Sequence, residues 1–345
     1  MFKVTVVVTT YNLQMMIAAC FDELLSQTFQ DFNVLVVDDC STDKTADIVR
    51  EYIMRFPERI DAIFLEQNLG SPSRVRNTAL DSGKINGEYV IFLDGDDSIE
   101  PVFLETLFDI AKKTNADITL CVYDRVDTKT GRVICVEMQG FDELIELPSD
   151  DDVIAFFNVA VWNKLIKTKL IEEVRFPDFC AGEDLCFFLQ LYIKCKKIAL
   201  TDKVLLHYRV RSASVTSNTP LEDIRAFAME LLKLHSQLQD GIYKDITELL
   251  VFIHIGVSMT VRATDNTSIS ACTAREYLLW TRAYLIEHFR LFKNSRFLRF
   301  GSLKKHGIRG WALWTCLLLY KLRMFGVFIF LYKVFRKYTN KDIKF

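Results

Sequence analysis

Three aspartates follow directly on the short apolar run Tyr89–Leu93; they are Asp94, Asp96 and Asp97. A run of this length without polar alternation is typical of a strand that is buried on both faces of a parallel sheet. Ligands of open α/β sheets bind at the carboxyl ends of the strands. Three carboxylates this close repel one another unless a cation offsets them, which predicts a divalent ion that also holds a phosphate. A plain polar turn is the alternative, because Asp and Gly dominate turns.

Residues 4–93 alternate between apolar runs and amphipathic stretches, and these elements must position the aspartates. The alternation predicts βαβ units, and hence a mainly parallel sheet flanked by helices. No Gly-x-Gly-x-x-Gly follows the first run, which disfavours an NAD-dependent enzyme. The predicted strands are Val4–Thr9, Val34–Val37, Ile60–Leu65 and Tyr89–Leu93, and the predicted helices are Met15–Thr28, about 43–56 and Ser73–Ser82.

Polar side chains also follow the first two predicted strands. Tyr11 and Asn12 come after the first strand, and Asp38 and Asp39 come after the second. An aromatic ring and carboxylates at one edge of a sheet suit a base, a ribose and a metal-bound diphosphate, so we predict a nucleotide site. The alternatives are that Tyr11 belongs to the core and that the two aspartates cap the next helix.

Composition and charge predict two domains with different tasks. The chain has 345 residues, of which 50% are hydrophobic, and this length exceeds one average domain. Net charge is only −2, yet residues 290–345 carry 14 Lys and Arg against the single acid Asp342. The nine cysteines form no Cys-x-x-Cys pair, which indicates a reducing cytosol. The run Val4–Val8 is too short for the apolar region of a signal peptide.

The sequence after Leu221 has helical periodicity, which predicts an all-helical module. Its tail, residues 311–335, is apolar enough to raise the question of a membrane span. Lys321 and Arg323 would lie mid-span, at about 2.5–3.5 kcal/mol each on insertion scales. We therefore predict two helices in the membrane interface, broken near Gly326, within a basic amphipathic tail of about 302–338. Packing on the helical module, or a homodimer contact, is the alternative.

The chain resembles the family 2 glycosyltransferases, which are inverting enzymes with a GT-A (Rossmann-like) nucleotide-sugar-binding fold. The resemblance covers roughly residues 3–218. It implies a catalytic domain at residues 1–218, followed by the helical module at 219–345. The motifs that carry it are, in the family's order, VVVTTYN, VLVVDDCSTDKT, NLGSPSRVRNTAL, EYVIFLDGDD, WNKL, GEDLCF and HYRVRSASVT.

The resemblance implies a donor site and a metal site. The ion would be Mn²⁺ or Mg²⁺, bound directly by Asp97 and also by Asp96, which can instead contact the ribose. His207 would bind the metal or a phosphate, although a lone His is often an ordinary packing residue. The remaining residues implied to contact the donor's base or phosphates are Thr9, Tyr11, Asn12, Asp39, Arg76, Arg209, Arg211 and Ser214.

The resemblance also implies the acceptor side. Asp184 would be the base that takes the proton from the acceptor hydroxyl, with Glu183 as its orienting neighbour. One base without a separate nucleophile implies inversion at the anomeric carbon. The alternative is that both acids only offset the dipole of the helix that they begin. Trp162 and Asn163 match the family's acceptor-side element, although Trp162 can equally be a packing residue.

The predicted function is transfer of a sugar from a nucleotide-diphosphate sugar to a hydroxyl of a surface glycan such as a capsule, lipopolysaccharide or teichoic acid. The expected donor is a UDP-hexose or UDP-N-acetylhexosamine, and the expected location is the cytoplasmic face of the cell membrane, at a lipid-linked acceptor. No nucleic-acid partner is expected. The alternative is a non-catalytic protein of the same fold that binds nucleotide or glycan at the membrane surface.

Overall fold

The structure is a computed structural model that describes residues 2–149, 152–179, 181–210, 221–265 and 270–339. It divides into two compact units, Met1–Ser149 with Phe157–Ser214 and Asp150–Phe156 with Val215–Phe345. The predicted domain boundary at 218 lies outside the described residues. The helical module was predicted from the periodicity after Leu221, and this periodicity gives no sign that Asp150–Phe156 belongs with the second unit.

The first unit is built on one ten-stranded sheet with the order β3-β2-β1-β4-β9-β6-β10-β5, to which β7 adds on β6 and β8 on β10. Strands β1 to β4 are mutually parallel, as predicted. Beyond β4 the sheet is mixed, because β9 runs antiparallel to both β4 and β6. The strands are β1 Val4–Thr10, β2 Phe32–Asp38, β3 Ile60–Phe64, β4 Tyr89–Asp94, β5 Ser98–Ile99, β6 Ile118–Asp127, β7 Val133–Glu137, β8 Leu144–Glu146, β9 Lys164–Lys167 and β10 Lys197–Val210.

Strand β4 is buried on both faces, as its apolar run predicts. Val90 and Ile91 are 0% exposed, and the other three residues of the run are 1% exposed. Val4 and Val6–Val8 of the neighbouring β1 are also 0% exposed. The aspartates after β4 therefore stand at the end of a strand that is packed on all sides.

Six helices accompany the sheet in the part of the first unit that the structure describes. In the first of them, the buried residues Ile17, Cys20, Phe21 and Leu24 recur at helical spacing. Pro72 begins the third helix, where its missing N–H costs no hydrogen bond. The helices are α1 Ile17–Leu25, α2 Thr45–Arg55, α3 Pro72–Asp81, α4 Phe103–Thr114, α5 Thr168–Ile171 and α6 Glu183–Lys194.

The second unit is helical throughout its described residues after 220, as predicted. A π-helical segment, Phe252–Met259, joins two helices into one long rod. Within that rod, Ile242–Thr264 is long and apolar enough to cross a membrane, but 78% of its most apolar window is buried inside the structure. A buried core helix passes the same length and composition test. The helices are α7 Leu221–Gln237, α8 Ile242–Val251, α9 Thr260–Asp265, α10 Ala271–Phe289, α11 Phe300–Leu303, α12 Gly307–Lys321 and α13 Phe325–Thr339.

The start of α12 is tied to the short segment that precedes Phe157. Nε2 of His306 lies 3.0 Å from both carboxylate oxygens of Asp152, which is 3% exposed. The His306 ring also stacks on Phe156 at 3.9 Å between centroids. These contacts explain why the segment belongs with the helical unit.

Candidate active site

Arg76 of α3 joins the end of β4 to the start of α6. Its guanidinium donates from Nη1 to Asp184 Oδ1 at 2.9 Å and from Nη2 to Asp94 Oδ1 at 3.1 Å. Arg76 is 4% exposed. Burial opposes its charge, but the carboxylates of Asp184 and Asp94 outweigh burial and raise the pKa of Arg76. The sequence predicts Arg76 beside the nucleotide base and phosphates; in the structure its guanidinium pairs with three carboxylates, those of Asp184, Asp94 and, at 3.9 Å, Glu183.

Helix α3 also holds the chain that leads into α6. Asn77 donates to the carbonyl of Phe176 at 2.8 Å and accepts from its N–H at 2.9 Å. Arg74 forms a two-point pair with Asp178, at 2.6 and 2.7 Å. The chain then turns at Gly182, whose φ of +86° favours glycine. Together these contacts fix where the first turn of α6 begins.

Glu183 and Asp184 occupy the first turn of α6 and share the charge of Arg76. Burial is the largest influence on Asp184 and raises its pKa, while Arg76 lowers it. Burial and then the charge of Asp184 raise the pKa of Glu183 to about 8. A carboxylate whose pKa is raised toward neutrality suits a general base. The helix dipole also favours acids in this first turn.

Lys164, the third residue of the WNKL motif, is a buried cation beside this pair. It is 0% exposed, donates to Asn163 Oδ1 at 2.8 Å, and lies 4.7 Å from the ring centroid of Phe188. Phe188 follows Asp184 by one helical turn, so both face the same side of α6. Burial lowers the pKa of Lys164 to about 7, while the charge of Asp184 raises it. Its signal in the sequence is a lysine at the head of an apolar strand.

Trp162 and Asn163 are packed inside the first unit. Trp162 is 6% exposed and stacks on Tyr208 with centroids 5.4 Å apart. Asn163 is 0% exposed and donates to the carbonyl of Cys121 at 2.9 Å. A fully buried amide cannot contact a glycan, so the acceptor role predicted for Asn163 does not fit this position. Trp162 takes the packing role that was its alternative.

The aspartate cluster contains one buried carboxylate oxygen without a hydrogen-bond partner among the described residues, Oδ2 of Asp97. Asp94 accepts from Thr9 Oγ1 at 3.2 Å as well as from Arg76. Asp97 is 3% exposed and accepts from the Arg209 N–H at 3.4 Å. Burial and the charge of Asp94 raise the pKa of Asp97 well above its usual value. A cation at this point would offset both effects.

No three His, Cys, Asp or Glu side chains within the described ranges are arranged so that they could hold a metal ion by themselves. Asp96 and Asp97 are adjacent in the chain beyond β4, and Asp96 is partly exposed. Divalent Mg²⁺ is commonly bound through one or two carboxylates plus substrate phosphates. The residues present fit an ion that is completed by a phosphate ligand.

His207 has both ring nitrogens engaged by carboxylates. Nδ1 lies 2.8 Å from Asp124 Oδ1, and Nε2 lies 2.9 Å from Glu100 Oε1. Burial lowers the pKa of His207, but the two hydrogen bonds outweigh burial and raise it. An imidazolium held between two carboxylates has no nitrogen lone pair for a metal. The metal-ligand role predicted for His207 does not fit this arrangement.

The loops after β1 and β2 are locked to each other and to the loop before α3. Asn12, in the left-handed region at φ +52°, accepts from the Thr42 N–H at 2.8 Å. Asp39 is 5% exposed and accepts from the Leu69 N–H at 2.7 Å. Tyr11 leaves its ring 45% exposed at this edge. The structure thus brings these predicted donor residues together. Asn12 and Asp39 accept hydrogen bonds from backbone N–H groups, and the ring of Tyr11 is exposed to a ligand.

Arg209 lies at the end of β10 beside the aspartate loop. Its Nη2 is 3.9 Å from Glu23, a residue of α1 that sequence reasoning missed. Glu23 accepts from Ser98 Oγ at 2.7 Å and so ties α1 to β5. Arg211 and Ser214, the other predicted phosphate contacts of this segment, lie outside the described residues.

Comparison with known proteins shows what this chain is similar to. Residues 5–159 match the family model of Glycosyl transferase family 2. Glycosyltransferase GlyA of Streptococcus pneumoniae serotype 4 is 30% identical over 226 residues, which cover 62% of this chain and 31% of GlyA. Poly(ribitol-phosphate) beta-N-acetylglucosaminyltransferase TarS of Staphylococcus aureus is 30% identical over 253 residues, which cover 67% of this chain and 41% of TarS. The chain thus spans less than half the length of either relative.

A solved structure shows the same fold. The crystal structure of S. aureus TarS 1–349 in complex with UDP-GlcNAc matches with a TM-score of 0.70 at 24% identity, covering 93% of this chain and 92% of that chain. Together with the family match and the sheet described above, this likeness confirms the predicted fold. Residues 5–159 thus match the model of glycosyltransferase family 2, and the architecture is of the GT-A type.

Proposed function

We propose that this chain is an inverting glycosyltransferase that moves a hexose or N-acetylhexosamine from a UDP-sugar to a hydroxyl of a cell-envelope glycan. One observation carries the proposal: Arg76 holds the acid pair of α6 against the aspartate-tipped end of β4. A carboxylate beside the strand end where ligands of α/β sheets bind supports the presence of a proton acceptor there. The names of TarS and its UDP-GlcNAc complex support the donor class.

Asp184 is the base in this proposal. As the acceptor oxygen bonds to the anomeric carbon, its proton passes to Asp184 Oδ2, the oxygen opposite the one that Arg76 binds. The bond from the anomeric carbon to the diphosphate oxygen breaks, and its electron pair leaves with UDP. A positioned carboxylate typically contributes about 10²–10⁴-fold to such a step. A single displacement of this kind inverts the anomeric carbon.

Arg76 sets both the direction and the charge of that base. The bond to Oδ1 fixes the plane of the Asp184 carboxylate. Burial raises the pKa of Asp184, and the charge of Arg76 lowers it. The same guanidinium binds Asp94, so a movement of the end of β4 would be transmitted through Arg76 to Asp184.

A Mn²⁺ or Mg²⁺ ion would be held by Asp97 and Asp96. A cation at Asp97 would give its unpaired Oδ2 a partner and would counteract the rise in the pKa of this carboxyl. When bound, the ion supplies Lewis-acid stabilisation of the charge that grows on the leaving diphosphate. Arg209, whose N–H reaches Asp97, would add a guanidinium on the same side. The ring of Tyr11 would pack beside the nucleotide base.

A donor screen tests the proposal. The purified full-length chain is incubated with UDP-glucose, UDP-galactose, UDP-GlcNAc and UDP-GalNAc, each with Mn²⁺ or with chelator, and UDP release is measured. We expect slow, metal-dependent release from at least one donor. The control is Asp47→Asn, which changes a 79% exposed carboxylate of α2; UDP release by this variant should equal that of the wild type. Nucleotide binding by calorimetry with no release from any donor would overturn the proposal and favour a non-catalytic binding protein.

A further inference from the structure

Helix α12 has an apolar outer face as well as a buried inner one. On its inner face, Leu313 and Tyr320 are 3% and 2% exposed, and Tyr320 donates to the carbonyl of Gly256 at 2.5 Å. On the other side, Ile308 is 90% exposed and Trp311 is 52% exposed. A surface helix of a globular protein normally turns polar residues to water. The outer face of α12 therefore lacks the polar character that solvent alone would favour.

The apolar outer surface continues past the break between α12 and α13. Leu322 in the break is 64% exposed, and Phe330 and Leu331 of α13 are 65% and 59% exposed. The inner face of α13 is again buried, with Phe325 only 3% exposed. Two successive helices thus share one arrangement, in which the inner face packs on the unit and large apolar side chains point outward.

Cations flank this apolar surface, and acids are absent from its sequence. Residues 290–339 contain 12 Lys and Arg and no Asp or Glu. Lys304 and Lys305, just before α12, and Arg309 in its first turn are exposed, as are Lys321 at the end of α12 and Arg323 in the break. Exposed tryptophan and phenylalanine amid lysine and arginine are typical of a helix that lies in the headgroup region of an anionic membrane.

Two other uses of this surface agree less well with these observations. A span is disfavoured because α12 has 15 residues, whereas about 20 are needed to cross a bilayer, and because Lys321 and Arg323 separate the two helices. A second copy of the chain would bring the same cations together, and residues 290–339 offer no acid to offset them. An anionic bilayer instead supplies the complementary charge.

We propose that the outer faces of α12 and α13 form a membrane-docking surface that inserts its apolar side chains among anionic lipid headgroups. The insertion is shallow, since the inner faces remain packed on the helical unit. If the proposed function holds, docking would bring the active site to a lipid-linked acceptor. The docking itself does not depend on that function.

Vesicle sedimentation of the full-length protein tests the proposal. The probes are vesicles of phosphatidylcholine alone and of phosphatidylcholine mixed with phosphatidylglycerol, at low and high salt. We expect sedimentation with the anionic vesicles, weakened by high salt, and a blue shift of Trp311 fluorescence on binding. Donor hydrolysis without vesicles is measured in parallel, so loss of docking and loss of activity can be told apart.

Two surface variants locate the contact. Ile308→Ser with Phe330→Ser removes apolar side chains, and Lys304→Gln with Lys305→Gln removes charge; each is expected to weaken binding at least tenfold. The matched controls are Leu279→Ser, at a residue that is 60% exposed in α10, and Lys233→Gln, at a side chain that is 61% exposed in α7. Neither control should change binding. Protein that stays in the supernatant with both vesicle types, or equal losses in the controls, would overturn the docking surface.

Discussion

Arg76 Nη1 lies 2.9 Å from Asp184 Oδ1, and this contact joins a helix near the start of the chain to one beyond its midpoint. Because Nη2 of the same guanidinium binds Asp94, one side chain positions both the end of β4 and the first turn of α6. The planar fork of arginine suits this task, whereas a lysine offers a single point charge. The relationship leads to predictions about stability and about the base.

Arg76→Met should destabilise the protein strongly. Removing one partner of a buried ion pair typically costs about 3–5 kcal/mol, because the carboxylates of Asp94 and Asp184 would then repel each other. The measurement is the free energy of unfolding in urea at neutral pH. Arg74→Met is the matched control, since the Arg74 and Asp178 side chains are 51% and 55% exposed, and such pairs are worth about 0–1 kcal/mol. Equal losses in the two variants would contradict this reading of Arg76.

Asp97→Asn should stabilise the metal-free protein while removing metal-dependent turnover. The pKa of Asp97 is raised in the folded state, so folding favours its protonated form and loses stability as pH rises above the unfolded value of 3.8. A neutral amide avoids that loss. Thermal unfolding at pH 7 measures it, and we expect a higher Tm for the variant without metal. With Mn²⁺ and UDP the wild type should gain stability and the variant should not. Equal shifts in both would remove Asp97 from the metal site.

Lys164→Met should move the acidic limb of the pH–rate profile to higher pH. Asp184 acts as a base only when it is deprotonated, so activity rises with pH through its pKa. The charge of Lys164 lowers that pKa, and its removal should raise it. The profile of kcat against pH measures the shift. Lys167→Met, on the same strand but paired with Asp117 at 3.0 Å, should leave the limb in place. An unmoved limb in Lys164→Met would exclude an electrostatic role.

Much of the fold follows from local patterns in the sequence. The run before Asp94 is short, wholly apolar and bounded by glycines, so its burial on both faces of a parallel sheet was predictable. Helix α6 was also predictable from its acidic start and apolar continuation. The order of strands beyond β4 was not, because periodicity shows that a strand exists and does not show which neighbour it pairs with.

The links within the candidate site were less predictable. The contact of Arg76 with Asp184 joins residues 108 positions apart, and nothing in the sequence of α3 shows which side chains face α6. The burial of Lys164 was not predicted, because lysine is almost never fully buried unless it is paired. The break between α12 and α13 lies at residues 322–324, where Arg323 has a φ of +63°, and so close to Gly326, near which it was predicted.

Asp184→Asn tests most directly whether this acid is the base of a glycosyltransferase. The substitution keeps the shape of the side chain and removes its capacity to take a proton. Once the donor screen has identified a donor, its affinity is measured by calorimetry and its transfer by product formation, in wild type and variant. We expect transfer to fall by about 10²–10⁴-fold, with donor affinity nearly unchanged. Donor affinity lost as severely as transfer, or transfer that persists, would contradict the proposed role of Asp184.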